Sequence, residues 1–209
     1  MESKNKSGKK KRYIIIIAIL LIPFISIFLI IHFRRVVTPT NDEIIQYIID
    51  AKAYKTEATY TIENSKGEFE EEVEIYHKKD LGFRVEFQED RVKIYKDGYI
   101  NVQENDEEYE VDEGMDSLYP LGFIGNILSN EIIDINEGTE EWGDIKYLVV
   151  DVQLSSKNNH LYKAKVYINK EDKSPIVTKI YNNEDEERVI VVYDDFEYLK
   201  DIDKNLFWM

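Results

Sequence analysis

From about residue 53 to residue 196 the chain is divided into short runs in which apolar and polar residues alternate, and each run closes on a turn signal. Alternation with period two puts every second side chain on one face of a β-strand, so each run can bury one face and leave the other in water. Ala58, Tyr60 and Ile62 alternate with Glu57, Thr59, Thr61 and Glu63, and Ser65-Lys66-Gly67 turns the chain into Phe69, Val73, Ile75 and His77. Phe83, Val85 and Phe87 make the next strand, and Val92 and Ile94 another. Lys96-Asp97-Gly98 leads into Tyr99 to Val102, and a short strand follows near Tyr109 and Val111. Further strands are predicted at 131–137, 145–154, 161–169, 175–182 and 187–196, with Leu148, Val150, Val152 and Leu154 on one face of the second of these and Tyr162, Ala164, Val166 and Ile168 on one face of the third. Turn signals at this spacing predict an antiparallel meander that curls into a barrel or sandwich.

Two segments break the pattern. Thr40-Asn41-Asp42-Glu43 reads as a T-x-x-E capping box, and Ile44, Ile45, Ile48 and Ile49 follow at helical spacing, which predicts an amphipathic helix over 41–52. After Leu118-Tyr119-Pro120-Leu121, the residues Phe123, Ile124, Ile127 and Leu128 define a second short helix. It carries little charge, so it is expected to lie buried or to cover an apolar opening, which makes these four residues the candidate lining or lid of an apolar cavity.

The N-terminal region obeys a different rule. Tyr13 to Phe33 carries no formal charge. At ~1.5 Å per residue such a run spans roughly 30 Å, the hydrocarbon thickness of a bilayer. It ends in His32-Phe33-Arg34-Arg35 with no small-x-small cleavage site, so an uncleaved signal anchor is expected. Six cations, Lys4, Lys6, Lys9, Lys10, Lys11 and Arg12, precede the run and only Arg34 and Arg35 follow it, which places the N-terminus in the cytoplasm and the rest outside the cell membrane. The expected organisation is a basic cytoplasmic tail at 1–12, a transmembrane anchor at 13–33, a linker at 34–39 and one extracytoplasmic domain at 40–209.

Charge then narrows the partners. Residues 1–35 carry a net +7 against −15 for the whole chain, which leaves −22 on the remainder. A domain that acidic repels nucleic-acid phosphates and anionic head groups alike. The chain has no cysteine, which removes thiol chemistry and a lipidated N-terminal cysteine. His32, His77 and His160 have no nucleophile or metal-ligand neighbour in sequence, and the acidic runs Glu68 to Glu74, Glu104 to Glu113 and Asp194-Asp195 lack calcium-loop spacing. The sequence names no catalytic residue, no cofactor-binding residue and no metal ligand, and an enzyme is not expected.

Glu187 to Phe196, followed by Ile202-Asp203 and Leu206-Phe207, resembles the closing strand and tail of the LolA-like lipoprotein carriers. Ile44 to Ala53, Tyr60 to Gly67, Tyr95-Lys96-Asp97-Gly98 and Leu128-Ser129-Asn130-Glu131 are similar to the GerS-like germination lipoproteins of clostridia. The resemblance implies a mainly β (α+β) fold, a half-open antiparallel β-barrel with two short helices in its concave side. It also implies a non-enzymatic binding or regulatory protein that contacts a cell-wall (spore cortex) amidase during sporulation or germination. The alternative it implies is a carrier that holds a lipid or lipoprotein acyl chain. Both differ from this sequence in lacking a transmembrane anchor.

Overall fold

A computed structural model describes residues 20–31, 39–64, 67–88, 90–138, 145–155 and 158–209. The chain divides into two compact units, residues 1–40 and residues 41–209. In the first, residues 20–31 form a helix (α1) whose apolar side chains, Phe24, Phe28 and Ile30 among them, are exposed on every side. Residues 13–19 and 32–33 of the expected span lie outside the described residues, as do the basic tail and residues 34–38. No described helix is long and apolar enough to cross a membrane.

The second unit begins with α2 (Asn41–Ile49). The helix stops short of the predicted residue 52 because Lys52 is already committed elsewhere, its carbonyl accepting the Lys79 amide at 2.9 Å. Strands β1 (Ala53–Asn64), β2 (Gly67–Lys78), β3 (Gly82–Phe87), β4 (Val92–Lys96), β5 (Tyr99–Glu104) and β6 (Glu107–Asp112) form one meander. Strands β7 (Glu131–Gly138), β8 (Tyr147–Gln153), β9 (Lys163–Asn169), β10 (Pro175–Tyr181) and β11 (Glu187–Tyr198) form another. Between them runs a connection with 3₁₀ turns at Glu113–Met115 and Tyr119–Gly122 and a single helical turn, α3 (Ile124–Leu128).

Both meanders belong to one unclosed antiparallel sheet of order β6-β5-β4-β3-β2-β1-β11-β10-β9-β8-β7. The seam is the pairing of β1 with β11, from Tyr54 opposite Tyr198 to Ile62 opposite Val189. A bulge between Lys55 and Glu57 interrupts it, and there the buried Thr56 hydroxyl donates to the Asp194 carbonyl at 2.8 Å. Tight two-residue turns hold the hairpins: Asp97 and Gly98 join β4 to β5, and Asn105 and Asp106 join β5 to β6, all four with positive φ, the backbone such turns demand.

One core takes in Ile44 and Ile48 of α2, Ile124 and Leu128 of α3, Tyr60, Ile75 and Val85 of the first meander and Leu148, Val166 and Ile180 of the second. A sheet whose two halves share a core with the same helices must curl around them, and its inner face is the concave one. This is the architecture the LolA resemblance implies. On the outer face the chain end forms a satellite cluster in which Ile202 and Phe207 pack with Ala53, Tyr76 and Leu81. Arg84 holds the Leu206 carbonyl at 2.8 Å and Lys78 holds that of Ile202 at 2.9 Å.

Candidate functional site

The four residues singled out in the second helix lie at the centre of the concave side. Phe123 and Ile124 are 0% exposed, Ile127 5% and Leu128 1%. Phe123 stacks parallel on Phe83 with ring centroids 3.9 Å apart and meets Tyr95 edge-on at 5.0 Å. α3 packs against α2, and the Tyr60 hydroxyl, buried below, donates to the Tyr119 carbonyl at 2.7 Å. The connection between the meanders thus packs its apolar side chains into the core on the concave side of the sheet.

An aromatic row crosses the same side. Phe196, Tyr54, His77 and Phe83 follow one another at centroid separations of 4.9, 4.9 and 4.5 Å, and Phe83 passes the row on to Phe123. Burial against these rings pushes the His77 pKa below its usual value, so the imidazole is held neutral. Burial likewise drives the Tyr54 phenol well above its usual range. His77 is therefore a packing residue of the inner face. His160 is exposed in a turn, and His32 lies outside the described residues.

A polar cluster pins the connection to the first meander. Burial alone would raise the Asp116 pKa. Hydrogen bonds from Lys93 Nζ at 2.6 Å and from the Tyr95 hydroxyl at 2.7 Å, together with the Lys93 charge, outweigh burial and hold it below the ordinary carboxylate value. Its other oxygen accepts the Leu118 amide at 3.0 Å. Glu71 accepts from Tyr119 and from Arg91 at 2.5 Å, and Arg91 lies 3.8 Å over the Phe87 ring. Burial and the Asp116 charge push Tyr95 up, and burial with the Glu71 hydrogen bond does the same to Tyr119. Each ionised group here already has its counter-charge and each phenol is held protonated, so the cluster fastens the connection and offers no free base.

The acidic runs divide between faces and edges. Asp194, Glu57, Glu74 and Glu86 stand opposite one another across β11, β1, β2 and β3 on the outer face, beside a groove of about 440 Å³. Among the described residues no group of three or more acidic, histidine or cysteine side chains is placed to hold a metal. The run from Glu104 to Glu113 takes in the β5–β6 turn and all of β6, which is one edge of the sheet among the described residues. The other edge, β7, is bulged between Ile132 and Asp134, and the Asp134 carboxylate accepts the Ile135 amide at 2.9 Å. Sequence periodicity located both strands but could not show that they are the edges, because strand order depends on the β1–β11 seam.

Fold and site together define a class: a half-open antiparallel sheet that holds its own helices in its hollow and presents charged faces and edges to the outside. The chain belongs to the family described as "Sporulation protein YdcC-like", whose pattern matches residues 10–207. No curated protein matches it. Among solved structures, an uncharacterized conserved protein from Thermus thermophilus is similar over 80% of this chain and 93% of its own, with a TM-score of 0.52 and 10% identity. The LolA superfamily protein NE2245 from Nitrosomonas europaea aligns over 81% of this chain and 98% of its own, with a TM-score of 0.47 and 11% identity. A structure of the CwlD amidase from Clostridioides difficile in complex with the GerS lipoprotein aligns over 78% of this chain and 98% of that one, with a TM-score of 0.45 and 21% identity.

Proposed function

We propose that the protein is a membrane-anchored, non-enzymatic binding or regulatory module of the sporulating cell, held outside the cytoplasm by residues 13–33 and acting through contact with a cell-wall amidase. Membership of a sporulation family supports the setting. The observation that carries the mode of action is the packed centre of the concave side: Phe123, Ile124, Ile127 and Leu128 are buried there, and this reading puts recognition at the faces and edges of the sheet. The amidase as partner comes from the sequence resemblance to the GerS-like proteins, and GerS is the protein found with an amidase in the Clostridioides difficile complex.

Native mass spectrometry of the full chain in a nonionic detergent, with and without a spore-cortex amidase, tests this reading. A defined complex with a lipid-free chain supports it. A co-purified acyl lipid that survives detergent exchange, with no complex, overturns it in favour of lipid carriage. Protease treatment of intact protoplasts tests the topology, since protection of the acidic domain would reverse the orientation.

A further inference from the structure

We propose that β6 is a docking edge for an extended segment of a partner protein in which apolar residues alternate with lysine or arginine, the segment adding to the sheet as a twelfth strand. The proposal rests on the reading of the protein as a binding module and names the surface and the chemistry of what binds there. Glu104 and Glu107 flank a two-residue turn, so they exchange both backbone bonds, and the pairs alternate from there. The Glu113 amide reaching the Gly98 carbonyl at 3.0 Å fixes the same alternation at the far end. Glu108, Glu110 and Asp112 therefore direct their backbone N–H and C=O groups away from β5, and among the described residues nothing pairs with them.

This edge is regular where β7 is not. Its register with β5 runs unbroken from Tyr99 opposite Asp112 to Glu104 opposite Glu107, whereas β7 is bulged and spends one amide on its own Asp134 side chain. Natural sheets close their edges with bulges and charges, and β6 has only the charges. Those charges choose the occupant. Val111 packs on the core, which puts Tyr109 on the inner side and Glu108, Glu110 and Asp112 on the outer one. None of the three carboxylates is ion-paired among the described residues, so every second side chain of an added strand meets negative charge, and a second copy of this edge is repelled.

The inner side asks for the opposite chemistry. A cavity of about 420 Å³ opens beside β6, where Tyr109, Val111, Met115 and Leu118 line it together with the paired Lys93 and Asp116, and Tyr109 is 47% and Met115 78% exposed. Side chains on the inner face of an added strand would cover these apolar surfaces. Backbone donors and acceptors, carboxylates outside and the apolar side chains exposed at the inner groove are three independent demands, and one basic-apolar alternating strand meets all of them.

The test uses the full chain in nonionic detergent and a labelled peptide of about eight residues alternating valine and lysine, an ordinary strand length, with a valine-glutamate peptide as control. Fluorescence anisotropy is expected to show saturable binding of the lysine peptide only. Glu110→Pro removes an outward N–H and leaves the bonds to β5 intact, so binding falls at least about tenfold with the unfolding midpoint unchanged. The double variant Glu108→Lys, Glu110→Lys weakens binding to a similar extent through charge alone. Equal binding by the parent chain and Glu110→Pro, or equal binding of both peptides, overturns the proposal. The same variants mixed with the amidase separate the two readings. An amidase complex that Glu110→Pro leaves intact overturns β6 docking and keeps the binding module. Peptide capture by the parent chain with no amidase complex keeps the edge and removes the amidase.

Discussion

The two meanders of this sheet have the same topology and opposite chemistry. On the inner face, β8, β9 and β10 present Leu148, Val150, Val152, Val166, Ile168 and Ile180, aliphatic and fully buried. The first meander presents the rings of Tyr54, His77, Phe83 and Tyr95, and all but Phe83 carry polar atoms that need partners. On the outer face, the second meander tiles Val149, Tyr167 and Val177 across neighbouring strands and pairs Lys165 with Asp151 at 3.3 Å. The first sets Glu57, Glu74 and Glu86 directly opposite one another. Like charges opposed across a ladder destabilise it and unlike charges or apolar pairs stabilise it. One half is therefore a backing built for stability, and the other carries the titratable and electrostatic features through which the molecule can respond or bind.

Substitutions can break this contrast in order of size. Phe123→Ala empties the stack on Phe83 and is expected to cost about 3–5 kcal/mol, while Leu148→Ala in the aliphatic half costs roughly 2–5 kcal/mol, both read by urea unfolding. The contrast lies in their local effects: hydrogen exchange should speed in β3 and β4 for the first and in β8 and β9 for the second. Asp116→Ala leaves Lys93 and Tyr95 without their partner in a mostly buried place, at a cost of roughly 2–3 kcal/mol. It also frees residues 113–122, which limited proteolysis should then cut.

Acid sharpens the comparison next. His77 is neutral in the fold because burial lowers its pKa, and in the unfolded chain it titrates near 6.5. Protons thus bind the unfolded state preferentially, so the His77 contribution is full above that value and is lost as pH falls below it. Asp116, held below 3.8, loses its contribution only at still lower pH. His77→Phe is expected to flatten the thermal midpoint between pH 7 and 5, and no substitution in β8–β10 should do so. The smallest effect is on the outer face. Glu74→Lys relieves two like-charge contacts and should stabilise by about 0.5 kcal/mol, and Lys165→Glu should destabilise by about as much, with added salt shrinking both.

How far the sequence foretold this molecule depends on the kind of interaction. Local signals were legible: the alternation of Leu148, Val150 and Val152 marked β8, and Asp97-Gly98 marked a hairpin turn. The apolar spacing of Phe123 to Leu128 announced a buried helical turn, but its stacking on Phe83 depends on a strand forty residues away that no local spacing reveals. Asp116 was invisible, because it lies in an aperiodic stretch and its partners Lys93 and Tyr95 come from a strand twenty-odd residues away. Ile202 and Phe207 were likewise unassigned to any element, since a satellite cluster has no period to detect. His77, read as an ordinary strand residue, holds a place in an aromatic row that no local rule could assemble.

The seam has a consequence for the order of events in the cell. Thr56 and Asp194, bonded across it, are 138 residues apart in sequence. Closing so long a loop is slow, and its entropic cost falls before any contact rewards it. A chain emerging N-terminus first can fold its first meander early, but β1 must wait beside β2 with its other edge bare until β11 arrives. Leu199 and Phe207 then tie the finished end back to Ala53, so assembly ends at the strand where it began. The sheet is thus joined only when β11 arrives, and a chain cut before β11 leaves β1 with a bare, adhesive edge.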